Sequence, residues 1–176
     1  MGAVAAGCRA LGQCGRPGVS GGLPAVTWYI RPAHGGDLGA LQALARDAFA
    51  PYVAQMGRAP APMQADLTAP VARGDVRVAC APGGPVLGFV QFGVLGGAMS
   101  LDTLAVCPAH GGQGIGRGLV AHVEALAQAQ GLRAVTLYTN AAMTRNLRFY
   151  PALGYRQTGR RVQDGFDRVF FRKEMA

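Results

Sequence analysis

The sequence is poor in lysine, in acidic residues and in long apolar runs, and each scarcity excludes a class of protein. Among its 17 basic residues only Lys173 is a lysine, so no glycine-rich turn carries the Gly-Lys-Ser/Thr of a nucleotide-hydrolysing P-loop. No apolar run approaches the roughly 20 residues that span a bilayer, which predicts that a membrane is not a partner. Nine acidic residues leave a net charge of +8, but the arginines are scattered, so nucleic acid is not a predicted partner either.

Cysteine is scarce as well. Cys8, Cys14, Cys80 and Cys107 show neither C-x-x-C spacing nor the density of a disulfide framework. Reduced thiols are typical of the cytoplasm, which is therefore the predicted location. No metal site is predicted.

What remains is the composition of one folded domain: 176 residues, of which 50% are hydrophobic and 15% charged. Residues 1–25 contain no acidic residue and no periodic pattern, which predicts a flexible N-terminal extension. The folded domain is predicted over residues 26–176.

Hydrophobic periodicity predicts an α/β fold with the element order β α α β β β α β α β β. The predicted strands are 27–31, 76–81, 86–94, 99–106, 134–138, 155–163 and 168–174, and the predicted helices are 37–49, 63–73, 114–130 and 143–153. Asp37 is the predicted N-cap of the first helix, and three prolines predict a loop over 50–62. Short turns join most strands, while a right-handed crossover makes one pair parallel. We therefore expect a mixed, mostly antiparallel sheet of about seven strands with helices on both faces.

A glycine-dense turn between the strand ending at Val106 and the next helix is the main candidate for a binding site. It reads GGQGIGRGLV from Gly111. Four glycines in six residues permit a sharp bend, and the helix that starts there offers unpaired N–H groups and a positive dipole end to a phosphate. The dinucleotide fingerprint G-x-G-x-x-G/A fails, because its third position is Arg117 or Leu119, depending on which glycine starts it.

This turn resembles the acyl-coenzyme A loop of the GCN5-related N-acetyltransferases (GNAT family), whose pattern Q/R-x-x-G-x-G/A falls on Gly111 to Gly116. Gly114 and Gly116 match that pattern, whereas Gly111 stands where the family usually has Gln or Arg. Further along, TNAAMTRNLRFYPALGY resembles the family's later segment, which ends in Phe/Leu-Tyr, a few residues and Gly-Phe/Tyr. The resemblance implies the acyl-CoA N-acyltransferase (GNAT) fold. It also implies an enzyme that transfers an acetyl group from acetyl-CoA directly to a primary amine, in our first interpretation that of a small molecule.

The resemblance also implies which residues bind acetyl-CoA: the end of the strand before the turn, the turn itself and the later segment. These residues are Leu104, Ala105, Val106, Gly111, Gly112, Gln113, Gly114, Ile115, Gly116, Arg117, Asn146 and Tyr150. Tyr150 aligns with the tyrosine that many members use as general acid toward the leaving thiolate. Members of the family splay the strand before the turn from its neighbour to make room for the pantetheine arm.

Asp102 is the predicted general base, because no histidine is placed for that role. Strand alternation puts it on the same face as Leu104 and Val106, where it would act through water; a solvated strand acid is the alternative.

Four residues are predicted by position alone to form the walls of the acceptor site. They lie in the loop after the first helix and in the last hairpin: Tyr52, Arg160, Asp164 and Phe166. A homodimer is left open.

Two other functions stay open: a protein or aminoacyl-tRNA N-acetyltransferase, and a non-catalytic acyl-CoA-binding regulatory module. A macromolecular acceptor is favoured if the arginines of the last two strands, at 156, 160, 161, 168 and 172, cluster on one open face. A blocked groove, or a Tyr150 hydroxyl outside it, favours the binding module.

Overall fold

A seven-stranded sheet organises residues 26–175, the part of the chain that the computed structural model describes. Its strands are β1 (Tyr29–Pro32), β2 (Val76–Cys80), β3 (Val86–Leu95), β4 (Ala98–Val106), β5 (Ala134–Asn140), β6 (Arg156–Gln163) and β7 (Phe166–Glu174). They are ordered β1-β2-β3-β4-β5-β7-β6, and only β4 and β5 are parallel. The mixed, mostly antiparallel sheet is confirmed, while the predicted extension over residues 1–25 lies outside the described residues.

Four helices cover the two faces of the sheet: α1 (Leu38–Met56), α2 (Thr68–Arg73), α3 (Ile115–Ala129) and α4 (Thr144–Phe149). The α3-side core includes Phe92, Met99, Leu101, Leu119, Val123 and Phe171. The α1-side core on the opposite face includes Leu41, Phe49, Val78, Phe89 and Ala105. Within residues 26–175, no helix combines the length and apolarity needed to cross a membrane.

Helix α1 continues to Met56, so the prediction of a loop from residue 50 is wrong. Pro51 lies inside the helix, where a proline removes one N–H donor and costs about 3 kcal/mol in isolation. Tertiary packing offsets this cost, because Tyr52 and Met56 beyond the proline both pack against the α1-side core. The helix ends at Gly57, which has a φ of 68° in the left-handed region. The second helix is shorter than predicted, since α2 begins only at Thr68.

Strand β4 contains a β-bulge at Asp102. Thr103 pairs with Gln91 of β3, and Leu101 pairs with Phe92, so Asp102 has no opposite residue on β3. A bulge of this kind inserts one residue and shifts the alternation of side chains along the strand.

The bulge decides which face Asp102 occupies. Leu101 packs in the α3-side core, and so do Leu104 and Val106 on the far side of the bulge. Asp102 therefore points to the opposite face of the sheet. The prediction that it shares the face of Leu104 and Val106 is wrong, because strict alternation does not hold across the inserted residue.

The Asp37 side chain forms a partly buried ion pair with Arg31. Its carboxylate accepts hydrogen bonds from Arg31 Nη1 at 2.7 Å, Arg31 Nη2 at 2.9 Å and the His34 backbone N–H at 2.9 Å. Asp37 is the N-cap residue of α1, as predicted, but its side chain makes no capping hydrogen bond to the helix. The Arg31 hydrogen bonds lower the pKa of Asp37 against the opposing effect of burial.

We expect Asp37→Asn to lower the free energy of unfolding by roughly 2 kcal/mol at neutral pH, because Arg31 loses its anionic partner in a partly buried site. The lowered pKa of Asp37 means that this contribution to stability is present above the ordinary aspartate pKa of 3.8. It is lost as the pH falls through the lower folded-state value. Denaturant unfolding measured across pH should therefore show that the difference in free energy of unfolding between the wild type and Asp37→Asn becomes smaller in acid.

Asp167→Asn is the matched control, because its carboxylate pairs with Arg160 at the surface, where the two side chains are 39% and 60% exposed. An exposed pair of this kind contributes less than about 1 kcal/mol. Equal losses in the two variants would contradict the role assigned to Asp37.

Candidate functional site

Strands β4 and β5 separate partway along their length. Their pairing runs only from Met99–Val135 to Leu101–Leu137, although β4 continues to Val106. Beyond Leu101, no described strand covers the β5-facing edge of β4, so its backbone N–H and C=O groups can pair with an extended ligand. The predicted pantetheine-binding stretch, 104–106, lies on this open edge.

A groove runs from the open edge of β4 to the glycine turn. All of the predicted cofactor-binding residues except Gln113 line it. Helices α1 and α4 and the turn after β4 form its other walls, which include Ala48, Phe49, Tyr52, Arg145, Phe149, Cys107, Pro108 and His110. The structure thus brings together, around one groove, residues that lie far apart in the sequence.

The glycine turn has the geometry of a phosphate-binding loop. Gly112 and Gly114 have φ values of 80° and 79°, in the left-handed region that glycine adopts without strain. Among the described residues, the amides of Gly112, Gln113 and Gly114 donate to no carbonyl. The first turn of the 15-residue helix α3 adds further unpaired N–H groups and the positive end of its dipole. This arrangement suits a phosphate.

The side chain of Gln113 has a different task. Its Oε1 accepts a hydrogen bond of 3.2 Å from the Val26 backbone N–H, and the Trp28 ring packs against α3 at Gly118. The segment before β1 therefore lies against the phosphate loop and the first turns of α3. Any part that Gln113 plays in binding a ligand rests on its main chain.

A second cavity lies on the other side of the gap. It shares four lining residues with the groove, namely Phe49, Leu104, Asn146 and Tyr150. A ligand that follows the groove from the phosphate loop therefore reaches the second cavity at these side chains.

Tyr150 stands at this junction. Its side chain is 5% exposed, and its ring packs against Phe149, Tyr155 and Phe171 with centroid separations of 5.1, 5.8 and 6.0 Å. Burial alone raises the pKa of its hydroxyl. The hydroxyl therefore keeps its proton at neutral pH, as a general acid must.

Asn146 is held at the same junction by hydrogen bonding. Its Nδ2 donates to Thr139 Oγ1 at 3.0 Å and lies 3.6 Å from the sulfur of Met143. These contacts connect α4 to β5 and orient the amide between the groove and the cavity.

Asp102 lines the second cavity from the bulge of β4. The cavity walls remove part of its hydration and so raise its pKa, while a 2.5 Å hydrogen bond from Ser100 Oγ acts in the opposite direction. Asp75 raises the pKa slightly further by its charge. The carboxylate is therefore a stronger base than an ordinary surface aspartate.

The four residues predicted for the acceptor site do not lie together in the structure. Phe166 lines the second cavity, whereas Tyr52 is part of α1 and lines the groove. Asp164 lines neither space and pairs with Arg168 at 3.1 Å. Arg160 also lines neither, and it pairs with Asp167 at 2.6 Å.

Several residues of the site were not found from the sequence. Arg168 and Tyr138 line the second cavity, and the guanidinium carbon of Arg168 lies 4.4 Å from the centroid of the Tyr138 ring. Arg168 reaches that position because it pairs with Asn140 across β5 and β7. Phe49 and Met56 line the cavity from α1. A longer first helix and the β5–β7 pairing would have indicated them. Within residues 26–175, no group of three or more His, Cys, Asp or Glu side chains could hold a metal ion.

Comparison with known proteins identifies relatives of this architecture. Residues 41–155 match the family model described as Acetyltransferase (GNAT) family. The PaiA N-acetyltransferase from Thermoplasma acidophilum, solved in complex with coenzyme A, superposes with a TM-score of 0.71 at 20% identity, covering 84% of this chain and 99% of that one. Ard1 from Thermoplasma volcanium superposes with a TM-score of 0.69 at 17% identity, covering 86% of this chain and 99% of that one. The ribosomal-protein-S18-alanine N-acetyltransferase from Escherichia coli superposes with a TM-score of 0.65 at 18% identity, covering 85% of this chain and 95% of that one. No curated protein matches the sequence.

Proposed function

Because this chain belongs to the GNAT acetyltransferase family, we propose that it transfers an acetyl group from acetyl-CoA directly to the primary amine of a small molecule. The observation that carries the proposal is the gap between β4 and β5, which leads from the phosphate loop past Tyr150 into a second cavity. The structure of the PaiA N-acetyltransferase, similar in fold, holds coenzyme A.

The groove fits coenzyme A at both of its ends. The loop amides and the α3 N-terminus suit the phosphates, and the open edge of β4 suits the amide-bearing pantetheine arm. Among the described residues that line the groove, none is acidic, whereas Arg117 and Arg145 are basic. The electrostatics of the groove therefore favour an anionic ligand.

The reaction requires two proton movements, and the site has a group for each. Acetyl-CoA supplies the thioester: the transfer forms a carbon–nitrogen bond, breaks the carbon–sulfur bond, takes a proton from the amine and delivers one to the sulfur. Tyr150 holds a proton at the junction where the sulfur is expected. Asp102 lies in the second cavity with a carboxylate suited to receive the proton of the amine through water.

We expect Asp102→Asn to lower kcat/KM by about 10- to 100-fold, because the amide cannot accept the proton of the amine. The base must be ionised, and its pKa lies above the ordinary 3.8, so the wild-type rate falls as the pH drops through that raised value. The variant should lack this acidic limb in a pH profile measured with the same amine. Asp47→Asn, an exposed carboxylate on α1 outside both cavities, should leave rate and profile unchanged. A wild-type profile in Asp102→Asn would exclude the assigned role.

One observation favours a macromolecular acceptor as a second candidate. Arg156 opposes Arg172, and Arg161 opposes Arg168, across the β6–β7 pair, and directly opposed residues share a face. Four of the five arginines of the last two strands thus lie on one face, whereas Arg160 is on the other. Their charge is partly neutralised, however, since Arg168 pairs with Asp164 and Arg172 with Glu174. A small amine therefore remains our first proposal.

A screen of acetyl-CoA turnover by thiol release, combined with calorimetric binding of coenzyme A, tests these proposals. Polyamines, amino sugars, amino acids, peptides and aminoacyl-tRNA are the acceptors to compare. Turnover with a small amine is the expected result, and turnover with peptides or aminoacyl-tRNA alone would support the second candidate. Binding without turnover of any amine would favour the non-catalytic module, against which the open groove and the position of Tyr150 argue. Absence of binding would contradict all three. The cytoplasmic location stays a prediction, and a homodimer stays an open possibility.

A further inference from the structure

The first position of the phosphate loop is a glycine, which has no side chain, and a side chain from another element lies beside it. Gly111 has φ −60° and ψ 145°, a conformation open to any residue, so the backbone does not require glycine there. A Cβ at Gly111 would lie 3.8 Å from Arg145 Nη2 and 3.9 Å from Nη1, and 3.3 Å from the Pro108 carbonyl oxygen. The guanidinium of Arg145 therefore lies beside the start of the loop.

Arg145 also has its charge available for a ligand. It lies in the first turn of α4, is exposed and lines the groove. The ion pairs recorded among residues 26–175 involve Arg31, Arg73, Arg160, Arg168 and Arg172, but not Arg145. With no acidic residue among the described lining residues of the groove, nothing there competes with an anionic ligand for this guanidinium.

A second nitrogen group at the same end of the groove is buried without a partner. His110 lines the groove next to the loop, and its Nδ1 has no hydrogen-bond partner among the described residues. Buried polar atoms are rarely left unpaired in the absence of a ligand or water.

The loop amides contribute only partial charges, whereas a diphosphate is fully charged and matches the planar fork of a guanidinium.

We propose that Arg145 of α4 supplies the guanidinium that pairs with the diphosphate of coenzyme A, in place of a side chain at Gly111. This inference rests on the proposed function, because it concerns the same groove. It also has a structural consequence. Asn146 follows Arg145, and Tyr150 is the C-cap of the same short helix, so one element contacts the phosphate end of the ligand and positions the acid at its reacting end.

The test is calorimetric binding of coenzyme A to Arg145→Gln. We expect a loss of about 10- to 100-fold in affinity, the effect of one charge-assisted, bidentate contact, and a weaker dependence of affinity on salt. Pantetheine, which has no phosphate, should bind the variant and the wild type equally. Arg148→Gln is the matched control, because Arg148 is exposed on the same helix and lines neither cavity; its affinity should be unchanged.

Dephospho-coenzyme A distinguishes the two phosphate sites of the ligand. If Arg145 contacts the diphosphate, Arg145→Gln loses the same factor with dephospho-coenzyme A as with coenzyme A. An effect that disappears with dephospho-coenzyme A would assign Arg145 to the 3′-phosphate and overturn the proposal.

A rescue variant distinguishes the loss of the Arg145 guanidinium from a folding defect. Gly111→Arg in the Arg145→Gln background restores a guanidinium from the loop itself, at a position whose backbone permits a side chain, and should recover part of the affinity. Failure of the wild type to bind coenzyme A would contradict the proposed function. Normal binding by Arg145→Gln, with the wild type also binding, would overturn only the role of Arg145.

Discussion

Replacing Tyr150 with phenylalanine is expected to lower kcat by about 100-fold or more, the usual effect of removing a general acid, with little change in the affinity for acetyl-CoA. The substitution keeps the ring that packs against Phe149, Tyr155 and Phe171 and removes only the hydroxyl. Burial raises the pKa of that hydroxyl, so it is protonated over the whole neutral range. The thiolate then leaves without a proton donor at the junction of groove and cavity.

Tyr155→Phe provides the control for this experiment. Tyr155 is another buried tyrosine, its ring centroid lies 5.8 Å from that of Tyr150, and it lines neither cavity. Its hydroxyl interacts with the Glu124 carboxylate, outside both cavities, so its removal should leave turnover intact. Steady-state kinetics and calorimetry on both variants separate the two effects. An unchanged kcat in Tyr150→Phe would exclude the acid role.

Gly114→Val is expected to reduce the affinity for coenzyme A by at least about 100-fold, because a branched side chain in the left-handed region strains the loop and blocks it. Gly114 is the N-cap of α3 with φ 79° and ψ −4°. Gly114 lines the groove, and a Cβ there meets no protein atom within 4 Å, so we expect the new side chain to stand in open space beside the loop amides.

Gly131→Val controls for the strain itself. Gly131 follows the other end of α3, has a φ of 69° and likewise has no atom within 4 Å of an added Cβ. Both variants should unfold at a lower temperature, since each forces a branched residue into the left-handed region. Only Gly114→Val should lose binding in calorimetry. Wild-type affinity in Gly114→Val, or equal loss in both variants, would contradict the assignment of the phosphate loop.

The strands, the turns between them and the start of α3 could be predicted because the interactions that determine them are short-range. Apolar stretches define β2, β3 and β4, and the glycine and proline turns between them leave an antiparallel pairing as the simplest solution. The parallel pair β4–β5 follows from the handedness of its crossover. The phosphate loop was predicted for the same reason, since glycine spacing and a helix start are properties of about ten adjacent residues.

Prediction failed where distant packing overrides a local preference. Pro51 indicates a helix end when its neighbours alone are considered, yet α1 continues to Met56 because its last turns pack on the α1-side core. The bulge at Asp102 depends on the register of β4 against β3. A single inserted residue moves that carboxylate to the other face of the sheet.

The sequence by itself therefore determined the order of the elements, the loop suited to a phosphate and the tyrosine at the end of the later segment. The tertiary structure alone decided where β4 and β5 part, which face Asp102 occupies, and that Arg145 lies beside the side-chain-free first position of the loop. The physical reason is the range of the interactions. Turns and helix starts depend on neighbouring residues, whereas register and the meeting of α4 with the phosphate loop depend on the packing of the whole sheet.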